Sequence, residues 1–229
     1  MDIRIFQIFY DAAQRSRLDP GFIPYDNTAN PRPAWREYHV FRTAYLRGCC
    51  PPDALTGFVS WKFRTKTRTS AAAFHRFIRR HPGRDVYFVN PARLESGSFA
   101  NIWQQGEFHH PGLIDLAETA FRAAGRPLAL ATLEHPPAAT LFCNFWVGTR
   151  RFWDRYMAFC EPIFAAIEEG LPSAAAARLD ARADRTIDAC YRPFLVERLF
   201  TTLLALDPTI RWAGCQQRTW RRLLPLQAA

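Results

Sequence analysis

Apolar and polar positions along the chain switch repeatedly between two periods. Ile3–Tyr10 (IRIFQIFY) is a β-branched and aromatic run of strand length, and Leu55–Trp61, Asp85–Val89, Thr140–Val147 and the short Thr209–Trp212 read the same way. Between them the apolar residues fall at helical spacing. Ala34–Arg47 carries Trp35, Tyr38, Phe41, Ala44 and Tyr45 on one stripe. Thr69–His81 is stopped by Pro82–Gly83, and Leu113–Ala124 is closed by Gly125. Arg151–Glu168 and Arg185–Leu206 are longer helices, and a weaker helical stretch runs from Ser96 to Gln104. Pro20, Pro24, Pro31 and Pro33 make Leu18–Pro33 a loop, and Cys49–Asp53 is a turn.

Strands alternating with helices predict an α/β fold, a single domain whose mostly parallel central sheet is flanked by helices. No internal repeat occurs, and the Ala-rich Ser173–Arg185 is too short to divide two domains. Residues 1–229 therefore read as one domain with a basic tail from about 213 to 229. Ligands of such sheets sit beyond the carboxyl ends of the strands. The segments that matter are then Asp11 onward, Lys62–Thr67, Asn90–Glu95 and Thr149–Arg151.

Composition narrows the class. With 48% apolar and 14% aromatic residues the chain can build a large core. No window approaches the roughly 18 uninterrupted apolar residues of a membrane span. The first residues are unlike a signal peptide, because Asp2 precedes the apolar run and Asp11 interrupts it. Cys49, Cys50, Cys143, Cys160, Cys190 and Cys215 form no CxxC and no zinc spacing, so they read as reduced thiols of a cytoplasmic protein. The net charge is +9, and Lys62 and Lys66 are the only lysines. Such a chain favours anions, from nucleotide phosphates to an anionic membrane surface at which it would sit peripherally. No zinc-finger or RRM-type motif points to specific nucleic-acid binding.

Three segments carry candidate chemistry. In PYDNTANPRPAWR, Asp26, Asn27 and Asn30 offer a carboxylate and amides to hydroxyls or to a metal; equally, they suit an Asx-type turn before the next helix. In SWKFRTKT, Trp61 offers a stacking face and Lys62 a phosphate counter-charge; the same residues suit a solvated basic turn. NIWQQGEFHHPG is the densest, with Gln105, Glu107 and His110. Glu107 or His110 can take a proton from a hydroxyl, while the competing reading is a polar loop whose histidines cap helices. The chain has no GxSxG, P-loop, GxGxxG or HExxH.

Four stretches together resemble a group of bacterial capsular and lipopolysaccharide glycosyltransferase-like proteins: YDNTANPRPAWREYHVFR, LTGFVSWKFRTKT, CNFWVGTRRFWDRYMAFCEPIF and ACYRPFLVERLFTTLL. The match runs from about Ile3 to Leu206. The resemblance implies a GT-A-like fold and transfer of a sugar from a nucleotide-sugar donor to a polysaccharide or glycolipid acceptor. The alternative is a sugar- or nucleotide-binding assembly protein that kept the fold without catalysis. On this resemblance the segments Asp26–Glu37 and Trp61–Lys66 lie near the donor, and Asn144 and Glu197 lie at the site or support it; the position of Asp26 and Asn90 just after strands of a parallel sheet makes them candidates to hold hydroxyls. Glu37 and Glu197 each have an arginine beside them, Arg36 and Arg198, and suit helix ion pairs as well. No DxD motif is present, and Asn90–Pro91 stands where better-known members carry an acidic pair; a divalent metal is compatible with the chemistry but has no such anchor.

Overall fold

The computed structural model describes residues 1–91, 97–183 and 189–215. The basic tail beyond residue 215, the end of Asn90–Glu95 and the first residues of the expected helix Arg185–Leu206 lie outside them. The chain opens with strand β1 (Asp2–Phe9), a turn of helix α1 (Ala12–Arg15) and strand β2 (Ile23–Asp26). A 3-10 turn at Pro33–Trp35 leads into helix α2 (Arg36–Leu46), strand β3 (Ala54–Ser60), and helices α3 (Phe63–Thr67) and α4 (Ala71–Arg80). Strand β4 (Val86–Val89), helices α5 (Ile102–His109) and α6 (Leu113–Ala123) and the three-residue strand β5 (Trp146–Gly148) follow. Helices α7 (Arg150–Ala165), α8 (Ser173–Asp180) and α9 (Tyr191–Leu206) precede strand β6 (Trp212–Cys215).

All six strands form one sheet in the order β2-β1-β3-β5-β4-β6. β1 pairs in parallel with β2 and β3, and β4 with β6, whereas β5 is antiparallel to both β3 and β4. The sheet is thus mixed: five strands share a direction and β5 opposes them. The expectation of a mostly parallel α/β sheet flanked by helices holds to that extent.

Side chains alternate across the sheet and fill two layers. Ile8, Phe58, Val86, Phe88 and Trp146 face the larger core, covered by α2, α5, α6, α7 and α9. Ile5, Leu55, Val59, Tyr87, Val89 and Val147 face the smaller one, covered by α4 through Phe74 and Ile78. Ile5, Ile8, Phe58, Val86 and Phe88 are all buried, as their pattern predicts.

Two strand expectations need correction. Thr140–Val147 is not a strand throughout: Cys143 (φ 68°) and Asn144 (φ 48°) turn left-handed within it. Its apolar residues Leu141 and Phe142 are buried in the large core as irregular backbone, so periodicity alone could not separate the two states. Thr209–Trp212 is displaced to Trp212–Cys215. β2 lies inside the Pro-rich stretch read as a loop; Pro24 is tolerated because β2 is an edge strand. The helix expected from Ser96 begins at Ile102, where Asn101 caps it by accepting from Gln104 N at 2.8 Å. All six cysteines are free.

The reversed strand fits because of one residue. A Cβ on Gly57 of β3 would collide with the carbonyl oxygen of Trp146 and the Val147 side chain. Gly57→Ala should therefore force β3 and β5 apart and destabilise the fold by about 1–3 kcal/mol. Urea unfolding should show this as a lower midpoint at unchanged slope.

Candidate functional site

The carboxyl ends of β1, β2, β3, β4 and β6 lie along one edge of the sheet. Because β5 runs the other way, the segment entering it, Cys143–Asn144, arrives at this edge too. The chain places β2 on one side of β1 and β3 on the other, so the order reverses at β1, the position beyond which sheets of this kind form a ligand crevice.

Polar side chains converge there from six elements. Tyr10 follows β1, Asn27 and Asn30 follow β2, and Arg36 and Glu37 start α2. Lys66 comes from α3, Cys143 and Asn144 from the entry to β5, and Glu197 from the second turn of α9. Lys66 Nζ donates to Cys143 Sγ at 3.0 Å. Glu197 lies within electrostatic reach of Lys66, Glu37, Arg36 and Arg198, and the Arg36–Glu37 pair also acts on Tyr10, which sits beside Asn27.

These surroundings set the protonation states. Burial pushes the Glu197 carboxyl up, Glu37 adds to the rise, and Arg198, Lys66 and Arg36 only partly oppose it. Glu197 nevertheless keeps partial contact with solvent. Burial also pushes the Cys143 thiol up to about 12, with Glu197 adding and Lys66 opposing, so the sulfur stays protonated. Lys66 is exposed, and the partial desolvation it suffers favours its neutral form, but Cys143, Glu197 and Glu37 outweigh that and hold its pKa above the usual lysine value. At neutral pH the crevice therefore holds a fixed ammonium beside an inert thiol and a carboxyl with an elevated pKa.

Strain and unmet hydrogen bonds collect at the same edge. Asn30, Arg36, Cys143 and Asn144 have positive φ, and the remaining non-glycine case among the described residues, Arg68, ends α3. Each such conformation costs roughly 1–3 kcal/mol and persists where surrounding structure enforces it, commonly at functional sites. Asn30 Oδ1 and Asn144 Oδ1 are buried with no hydrogen-bond partner among the described residues, while Tyr10 Oη and Asn27 Nδ2 have only each other. Leaving a polar atom unpaired costs about 1–3 kcal/mol, which a ligand bearing donors and acceptors would recover.

The sequence candidates separate into two groups. Asp26, Asn27, Asn30, Glu37, Trp61, Lys62, Asn90 and Asn144 all lie at the carboxyl edge. Within that group Asp26 is exposed and accepts from Thr28 N (2.9 Å) and Thr28 Oγ1 (2.8 Å), the expected Asx-type turn, which lowers its pKa. The Trp61 ring lies between Arg17, 5.8 Å from its centroid, and Lys62, at 5.1 Å.

Gln105, Glu107 and His110 are engaged in structural work on α5 and just beyond it. Gln105 Oε1 accepts from Arg198 Nη2 at 2.8 Å. Both Glu107 oxygens accept backbone N–H groups, from Gly112 at 2.6 Å and Ile114 at 2.8 Å, so Glu107 caps the start of α6. His110 is buried, its ring stacked on Phe194 at 3.6 Å and its Nδ1 3.1 Å from the Ala183 carbonyl oxygen. Glu107 and His110, the two groups read for proton transfer, are thus held in structural contacts.

Residue-pattern reading missed Tyr10, Arg36 and Lys66 as individual groups, and reached Glu197 only through the resemblance. Tyr10 and Lys66 were within reach of the strand-end rule. Glu197 carries a fainter signal, a charged Glu-Arg pair inside the apolar run FLVERLF. Among the described residues no group of three His, Cys, Asp or Glu side chains is placed to hold a metal ion. Comparison with family models, curated proteins and solved structures finds no match to the chain.

Glu197 binds its proton more tightly in the folded chain than in the unfolded one. Its contribution to stability is therefore complete below the unfolded carboxyl value and is lost as pH rises through the elevated folded value. Glu197→Gln should raise the melting temperature at about pH 8, with the gain shrinking towards about pH 4. A variant less stable at the higher pH would mean that the surrounding cations, not burial, govern this carboxylate.

Proposed function

We propose that this chain is a GT-A-like glycosyltransferase. It moves a sugar from a nucleotide-sugar donor to a hydroxyl of a polysaccharide or glycolipid acceptor, in the cytoplasm. The observation that supports the reading is the juxtaposition of the elevated Glu197 carboxyl, the Lys66 ammonium, the Tyr10 and Asn27 side chains and the unpartnered Asn144 oxygen at one edge of the sheet. In this reading Lys66 and Arg36 offset the charge that develops on the departing nucleoside diphosphate. Glu197 accepts the acceptor's hydroxyl proton as the oxygen attacks the anomeric carbon and the carbon–oxygen bond to phosphate breaks. Tyr10, Asn27 and Asn144 hold sugar hydroxyls. The described residues at this edge include no group of three His, Cys, Asp or Glu side chains placed to hold a metal ion.

A general base must be ionised to act, so an elevated Glu197 pKa places the acidic limb of the rate profile above the ordinary carboxylate range of roughly 4.3. Calorimetry against UDP-, GDP-, CMP- and TDP-sugars should find one nucleotide class that binds. Lys66→Ala should weaken that binding about tenfold or more, since a charge-assisted hydrogen bond contributes about 1.5–3 kcal/mol. Glu197→Gln should bind the donor normally, lower turnover by about a hundredfold or more and abolish the acidic limb. Donor binding without any turnover would favour the alternative of a binding or assembly protein; no binding by any member of the panel would overturn both.

A further inference from the structure

Helix α9 carries Glu197 near its start and ends at a second concavity. Its last turn, the middle of α7 and the segment leaving α6 enclose a cavity of about 380 Å³. Phe159 and Leu203 are buried in the cavity wall, whereas Leu206 stands exposed at it. Leu206 lies roughly 14 Å further along the helix axis than Glu197, so this cavity is separate from the proposed donor site.

Arg126, in the lining, is held unlike an ordinary surface arginine. Its backbone is fixed by the end of α6: Gly125 turns left-handed (φ 70°), and Arg126 N donates to the Phe121 carbonyl at 2.8 Å. Pro127 then biases it towards extended backbone. The guanidinium lies 5.9 Å from the Phe159 ring centroid, and Nη2 donates to the Ala158 carbonyl at 3.4 Å. That carbonyl needs an outside donor because Pro162, four residues further along α7, has no N–H to give it. The other charges of the lining cancel. Arg155 Nη1 donates to Asp207 Oδ2 at 3.0 Å, and Asp207 Oδ1 accepts from Thr209 N and Oγ1. Arg126 forms no ion pair with a described carboxylate, which leaves the cavity one positive charge in surplus.

We propose that this cavity binds a small aliphatic carboxylic acid as its anion. The planar fork of Arg126 matches a carboxylate with paired N–H donors. The aliphatic body covers Phe159, Leu203 and Leu206, removing apolar surface from water. One surplus charge suits one carboxylate rather than the dianion of a phosphate monoester. The proposal goes beyond the glycosyltransferase reading and does not rest on it.

Calorimetry on the full chain at neutral pH, with sodium octanoate as the probe, tests this. Octanoate is expected to bind. Butyrate keeps the charge but not the body, octan-1-ol the body but not the charge, and each should bind at least about tenfold more weakly. Arg126→Gln should weaken octanoate about tenfold or more and leave octan-1-ol within about twofold. Arg122→Gln removes an exposed charge from the last turn of α6 and should leave octanoate within about twofold. Ala158→Trp, at an exposed position of the lining, should fill the cavity and abolish octanoate binding. Circular dichroism checks that each variant is folded. No octanoate binding, equal loss in the Arg122 and Arg126 variants, or full binding by Ala158→Trp would overturn the site. Octan-1-ol as tight as octanoate, or octyl phosphate tenfold tighter, would overturn the carboxylate assignment. Nucleotide-sugar binding measured on the same variants should be unchanged, which keeps this outcome distinct from that of the glycosyltransferase reading.

Discussion

The direction of one short strand governs the layout of the molecule. β5 is three residues long, yet it is wedged between β3 and β4 and runs against both. In an all-parallel sheet the connection preceding a strand lies at the amino edge, far from any ligand. Reversal brings that connection to the carboxyl edge and sends α7 away from the opposite one. Trp146 secures the reversal: its ring lies 4.4 Å from Trp153, 4.9 Å from Tyr156 and 5.1 Å from Phe152, all on the helix that β5 launches. Trp153 in turn donates Nε1–H to the Thr56 carbonyl of β3 at 2.8 Å. Strand and helix thus hold each other in place on the sheet.

The cost of the crevice falls on the same segment. Cys143 and Asn144 sit in left-handed backbone immediately before Trp146, and the Asn144 side-chain oxygen is buried unpaired. Such a conformation survives because Phe145 and Trp146 are packed into opposite faces of the sheet directly after it. The aromatic core beneath the site therefore supplies the rigidity that the site's own residues lack.

Much of the fold was legible because its strongest elements are periodic. β1, β3, β4, α4, α6 and α7 lie within a few residues of where their patterns place them. What was hidden was tertiary. An edge position rescues Pro24 as part of a strand, and a two-residue left-handed turn converts an apolar strand-like run into core-lining coil. The site was legible in the same uneven way. Segments after strands are visible in sequence, so Asn27 and Lys62 could be placed at the carboxyl edge, whereas Asn144 comes there only because β5 is reversed. A polar cluster such as Gln105–His110 looks chemical in sequence, yet its donors and acceptors are used up by α6, α9 and the Ala183 carbonyl. No linear pattern reports whether a polar atom already has a partner, and that decided between the two groups.

Arg198 links this hidden layer to the crevice. Its guanidinium is buried against α5, where it occupies the space that any side chain at position 106 would need, and it donates to the Ile102 carbonyl at 3.1 Å and to Gln105. Gly106 is thus a keyway and Arg198 the key. Since neighbouring residues on a helix are separated by a fixed angle, locking one fixes the rotational phase of the whole rod. Glu197, next on α9, is aimed at the crevice by a contact on a different face of the helix, and the bearing of the carboxylate is indexed from the far side of its own shaft.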